Sequence, residues 1–152
     1  MKIINLPIKK SLIEKSPFDP CPIISSHEKS LLDKALAASK KAYCPYSHFS
    51  VGACVETETG DIFEGCNVEN ASYGLSNCAE RTAIFSAVSH GMKKIKTIAV
   101  IADTKGPVSP CGACRQVISE FADESTTIIL ANTRGDVAVM SVKDLLPYGF
   151  SF

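Results

Sequence analysis

Apolar positions along the chain change period several times, and each change predicts an element. From Ser25, three residues ahead of Glu28 as in a capping box, Leu31, Leu32, Ala35, Leu36 and Ala38 recur at helical spacing. They predict a helix over residues 26–42, ending before Pro45 because proline disfavours helix in the residue ahead of it. Phe49, Val51, Ala53 and Val55 then alternate with smaller or polar residues, and Thr59, Gly60 and Asp61 supply a turn before a second extended stretch over 62–68. That pattern reads as a β-hairpin. Ala83, Ile84, Ala87 and Val88 line one face of a second helix over 79–90, which meets a stop signal at Gly91. Residues 96–102 are β-branched and apolar, as in a buried central strand. After a loop at Gly106 and Pro107 comes a third helix over 112–122. Strands over 126–131 and 137–140, separated by a turn at 132–135, and a short last helix complete the chain.

Such alternation places the chain in the α/β class: a mixed β-sheet with helices on both faces, in α/β/α layers. Residues 1–25 carry Pro7, Pro17, Pro20 and Pro22 without a sustained period, so they read as an N-terminal arm, extended or poorly ordered. Residues 26–152 then form a single catalytic domain.

Composition narrows the function. With 152 residues, 45% of them hydrophobic, the chain can build one ordinary core without a disulfide framework. Sixteen basic residues balance sixteen acidic ones, which argues against a nucleic-acid or anionic-membrane partner. No stretch reaches the roughly 18 uncharged apolar residues of a membrane span. The seven cysteines are an odd number and nothing at the N-terminus resembles a secretion signal, so a reducing cytoplasm is the expected compartment. There, clustered cysteines point to metal or catalysis.

Cys78 stands where the second helix begins, and Cys111 and Cys114 stand where the third begins. Three thiols at two helix starts match the three protein ligands of a catalytic zinc site, whose fourth position stays open for water. His27, His48 and His90 lie in other contexts and are expected to be surface or turn residues. Zinc at +2 with three thiolates is net negative, and the unpaired N–H groups of two helix N-termini offset that charge. Arg81 could add a hydrogen bond to a ligand sulfur or simply be a solvated surface arginine. Glu80 is too close in sequence to Cys78 to ligate the same metal comfortably. It can face the water that the metal activates and carry its proton.

This arrangement is known from zinc nucleobase deaminases, with His or Cys as first ligand and a non-ligating Glu. The chain resembles the cytidine deaminase family through Phe49-Ser50-Val51-Gly52-Ala53, Gly65-Cys66-Asn67-Val68-Glu69-Asn70-Ala71-Ser72-Tyr73, Cys78-Ala79-Glu80-Arg81-Thr82-Ala83 and Pro110-Cys111-Gly112-Ala113-Cys114-Arg115-Gln116. The four motifs fall in order over residues 28–150. The resemblance implies the cytidine deaminase-like fold and hydrolysis of cytidine or deoxycytidine to the uridine nucleoside and ammonia, as in pyrimidine salvage. It implies one zinc per subunit on Cys78, Cys111 and Cys114, with Glu80 as the catalytic proton carrier. It also implies ribose recognition by Asn67 and Glu69, two residues apart and so expected on one face of a strand, and a pyrimidine packed on Phe49. Its short form is a homotetramer in which backbone groups near Ala71 and Tyr73, and a phenylalanine matching Phe150, reach a neighbouring subunit's pocket.

Other readings compete. A deaminase of a modified cytosine nucleoside of the blasticidin type shares the metal motif, although the Asn67-Val68-Glu69-Asn70 string favours the plain nucleoside. Editing of cytosine in single-stranded nucleic acid would need a basic, aromatic-studded channel, and cytidylate deaminases carry His where Cys78 stands. A redox protein using Cys111 and Cys114 leaves Cys78 and Glu80 unexplained. A non-catalytic, zinc-stabilised interaction module needs a fourth ligand that the sequence does not offer. Of the remaining cysteines, Cys21 and Cys44 have no zinc-like spacing, and Cys54 and Cys66 read as small buried hydrophobes.

Overall fold

The computed structural model describes residues 24–152, so most of the arm read over 1–25 lies outside the described residues, Cys21 included. Ile24 packs partly buried against the sheet. Helix α1 (Ser26–Ser39) begins at a full capping box, in which the Ser25 hydroxyl accepts from the Glu28 N–H and the Glu28 carboxylate accepts from the Ser25 N–H at 2.6 Å. It stops at Ser39, earlier than the expected 42. The chain must turn there because Tyr43 is drawn into extended pairing, donating its N–H to Asn67 O and accepting from Glu69 N–H.

Five strands follow: β1 (Val51–Thr57), β2 (Ile62–Cys66), β3 (Ile95–Ala102), β4 (Thr127–Asn132) and β5 (Val137–Met140). Helices α2 (Ala79–Ser89) and α3 (Gly112–Phe121) lie between β2 and β3 and between β3 and β4, and the four-residue α4 (Val142–Leu145) follows β5. The strands form one sheet in the order β2-β1-β3-β4-β5. Strand β1 is antiparallel to both β2 and β3, β3 is parallel to β4, and β5 returns antiparallel. Hence β2, β3 and β4 all run in one direction.

Seven consecutive buried residues make up β1, because helices cover both of its faces. Val51, Ala53 and Val55 face one core with Ala83, Ile84, Ile98, Ile118, Ile128 and Leu130. Cys54 faces the other with Leu31, Leu32, Ala35, Ala99, Ile101 and Ile129. Each fully buried aliphatic side chain contributes about 1.5–3 kcal/mol relative to exposure. The mixed sheet with helices on both faces is therefore as the sequence predicts.

Two glycines set how closely the helices approach. A Cβ on Gly52 would lie 1.8 Å from Ala35 O, and one on Gly65 would lie 2.4 Å from Ala83 N and 2.5 Å from Ala79 O. The backbones of α1 and α2 thus rest directly on β1 and β2. Cys54 is buried, and burial pushes its thiol up to about 12, as befits a small hydrophobe. Cys66 is only half-buried, because β2 is the edge strand.

Candidate active site

Helices α2 and α3 each follow a strand of the same direction and cross back over the same face of the sheet. Their N-termini therefore open at one end of it, where ligands of open α/β sheets commonly sit. Cys78 is the N-cap of α2 and Cys111 the N-cap of α3, both with extended backbone and neither capping its helix with its side chain. The first N–H groups of both helices are thus left without a side-chain cap, and Cys114, in the first turn of α3, is buried. The three Sγ atoms lie within 4.8 Å of one another, with Cys78 and Cys111 at 3.8 Å. Tetrahedral sulfurs each about 2.3 Å from zinc stand about 3.8 Å apart, so the donor set fits that ion in number, chemistry and spacing.

Among the described residues no His, Asp or Glu joins this cluster. His27 is paired with Glu56 at 2.9 Å, His90 bonds Ser86 O from the end of α2, and His48 sits in a turn at φ 55°. Arg81 Nη2 donates to Cys78 Sγ at 3.4 Å, while its buried Nε has no partner. The Cys78 thiol is drawn down to about 5, chiefly by the neighbouring Cys114 thiol and then by the Arg81 guanidinium. Cys114 is pushed up by its hydrogen bond with Cys78 and by burial. A metal that takes all three sulfurs must displace protons.

Glu80, in the first turn of α2, is only 4% exposed. Burial raises its carboxyl above the usual range and the Cys78 charge adds to this, against the pull of its own backbone N–H and of the Cys114 thiol. A carboxyl so placed holds its proton more readily than a free one, beside the thiol cluster and outside it.

A family model described as the cytidine and deoxycytidylate deaminase zinc-binding region matches residues 25–130. The chain belongs to this deaminase family. A cytidine deaminase of Sporosarcina psychrophila is 54% identical over 124 residues, 79% of this chain and 91% of the relative. A crystal structure of cytidine deaminase from Burkholderia pseudomallei is 52% identical, with a TM-score of 0.78 over 84% of this chain and all of that one. A blasticidin-S deaminase of Bacillus cereus is 31% identical over 136 residues, 84% of this chain and 95% of the relative. Membership makes the chain an enzyme of the deaminase class with zinc as its cofactor, and the thiol trio is the described cluster that could hold it.

Of the other residues singled out from the family motifs, Asn67 and Glu69 hold the loop that leads into β1. Strand β2 ends at Cys66, so Asn67 and Glu69 lie beyond it instead of on a strand face, flanking Val68, which bridges Tyr43 and Asn77. Asn67 accepts from Val51 N–H and donates to Phe49 O, both at 2.8 Å. The Glu69 carboxylate accepts from Tyr46 N–H at 2.9 Å, from Ser47 N–H at 3.2 Å and from the Ser47 hydroxyl. Phe49 precedes β1 and is 40% exposed. Ala71 and Tyr73 lie in the exposed loop between β2 and α2, with Tyr73 opening a short 3₁₀ turn. Phe150 is exposed at the C-terminus, stacked edge-on against Phe152, and its carbonyl accepts from Gln116 of α3. Among the described residues, no hydrogen bond or ring stacking links Phe150 to the thiols or to Phe49.

Proposed function

We propose that the chain hydrolyses the exocyclic amine of cytidine and deoxycytidine, forming uridine or deoxyuridine and ammonia. The observation that carries this is the trio of thiols gathered at two helix N-termini beside a buried, unligated Glu80. Cys78, Cys111 and Cys114 would hold zinc, which when bound supplies the Lewis acidity that makes water a nucleophile near neutral pH. Glu80 would accept one proton from the attacking water and pass it to ring N3, then take the second from the hydroxyl added at C4 and pass it to the departing amine as the C4–N bond breaks. Protonating N3 removes the charge that attack at C4 would leave there. Arg81 and the α2 and α3 N-termini offset the negative charge of the sulfurs.

Phe49 would pack on the pyrimidine, and Asn67 and Glu69 would take the ribose. Both side chains retain capacity beyond the loop they support. A carboxylate offers about four acceptor sites, and an amide two donors and two acceptor sites. Glu69 uses three of its sites, and Asn67 one donor and one acceptor.

Ultraviolet assays on cytidine, deoxycytidine, cytosine, cytidylate, adenosine and blasticidin S test the reading. Loss of the cytidine and deoxycytidine bands, and of no other, is the expected result. Turnover of blasticidin S without that of cytidine would move the substrate to the modified nucleoside, and a zinc-loaded chain inert toward all six would be an interaction module.

The assembly we propose is a homotetramer with shared sites. Tyr73 and Phe150 are 73% and 66% exposed in the single chain, and so are free for a neighbouring subunit to cover. Dilution to monomer, followed by sedimentation and assay of the same sample, should abolish activity. An active monomer would mean each chain completes its own pocket. The six described cysteines, all of them free thiols, support placing the reaction in a reducing cytoplasm, in pyrimidine salvage.

A further inference from the structure

Arg115 lies one residue past Cys114, on α3, and is spoken for by the backbone around it. Its Nε donates to Pro110 O at 2.8 Å, its Nη1 to Leu145 O at 2.6 Å and its Nη2 to the Ser109 hydroxyl. The three acceptors come from two places. Ser109 and Pro110 form the end of the loop that delivers Cys111, and Leu145 is the last residue of α4, whose carbonyl has no intrahelical partner. On the next residue, Gln116 Nε2 holds Phe150 O at 3.1 Å.

We infer that Arg115 is a positioning residue for Cys111, and that it makes the thiol loop depend on the docked C-terminal segment 142–150. The mechanism is geometric. Holding Pro110 O fixes the plane of the Pro110–Cys111 peptide, because that unit is rigid, and so restricts the direction in which the Cys111 Cα–Cβ bond leaves the chain. Cys114 needs no such help, since it is buried inside α3. Cys111 does, because it is exposed at the helix end and its side chain makes no capping bond. A planar guanidinium with five donors can reach a loop carbonyl, a hydroxyl and a second segment's carbonyl together. Lysine has one nitrogen to offer. The buried side chain of Leu145 anchors the far acceptor in the core, so the C-terminal segment becomes a fixed post for the loop.

This inference rests on the reading of Cys111 as a zinc ligand, and the experiment separates the two. Metal content and chelator-driven metal release are measured for the full-length parent, Arg115→Lys and Arg115→Met, together with the sulfur-to-cobalt charge-transfer band of cobalt-loaded protein. A parent that binds zinc is expected to lose it about 10- to 100-fold faster after Arg115→Met, the range for residues that orient metal ligands. The cobalt band should weaken or shift, Arg115→Lys should fall between, and millimolar guanidinium should slow release from the Met variant. A parent without zinc, or one whose cobalt band survives Cys111→Ser, refutes the ligand reading itself. A zinc-binding parent whose Arg115→Met variant releases metal at the parent's rate overturns the inference, as does faster release that guanidinium leaves unchanged with an unaltered cobalt band.

Discussion

Glu80→Gln is expected to keep a full complement of zinc and to lower kcat by at least about a thousandfold, the upper part of the range for a positioned proton carrier. Zinc should stay because the carboxyl is not among the clustered ligand atoms, and glutamine fills the same volume in the buried first turn of α2. Turnover should collapse because the same carboxyl must act twice, first on N3 and then on the leaving amine, and an amide can neither take nor give those protons. The competing explanation is that Glu80 only stabilises a helix N-terminus. That role is worth about 0.3–1 kcal/mol and predicts a slightly lower melting temperature with ordinary kinetics. Metal analysis and steady-state assay of one purified sample decide between them, and a variant within about tenfold of the parent in kcat would take Glu80 out of the chemistry.

The residues that start and cover elements are legible in the sequence. The Ser25 and Glu28 pair marks the first residue of α1 because a capping box is a local reciprocal hydrogen bond. The apolar steps of α2 and α3 show because each helix buries one face on the sheet. Endpoints are less legible. The end of α1 is set by Tyr43 pairing with Asn67 and Glu69, more than twenty residues away, and no local signal at Ser39 announces it. In β1 apolar residues alternate with small ones, which marks a strand but not what lies on each face. Both faces are in fact buried, and the small residue at Gly52 marks the seat of a helix backbone.

At the site, spacing reveals Cys78, Cys111 and Cys114 because metal ligands advertise themselves by side-chain identity. Their common location follows from topology: parallel β2 and β3 put two helix starts at one sheet end. Arg115 stands out in the sequence only as a member of a motif. Its main acceptors are the backbone carbonyls of Pro110 and Leu145, and a carbonyl acceptor leaves no mark on residue type. Asn67 and Glu69 show the complementary limit. Their chemistry suits a sugar, yet in the folded chain it also shapes the loop that presents Phe49, a second use that residue type alone does not signal.

The dependence of the site on close helix packing leads to a second large effect, at a position that touches no thiol. Gly65→Ala is expected to destabilise the chain by about 3 kcal/mol or more, beyond ordinary overpacking, because the added methyl would meet Ala83 N, Ala79 O and Ala83 Cα, all backbone atoms, at 2.4–2.9 Å. No rotamer change relieves such a contact; α2 must lift from β2. For a chain of this size that corresponds to a fall in melting temperature of about 6–12 °C. The displaced turn carries Cys78, Glu80 and Arg81 together, so Cys78 would move away from Cys111 and Cys114, and zinc should be lost with stability. Gly106→Ala is the control, since its Cβ would enter open space and should leave both measurements near the parent. Thermal melts with and without added zinc, beside metal content, check the pair. If Gly65→Ala melts within about 2 °C of the parent and keeps its zinc, β2 does not set the height of α2, and the convergence of the thiols must be enforced from the α3 side alone.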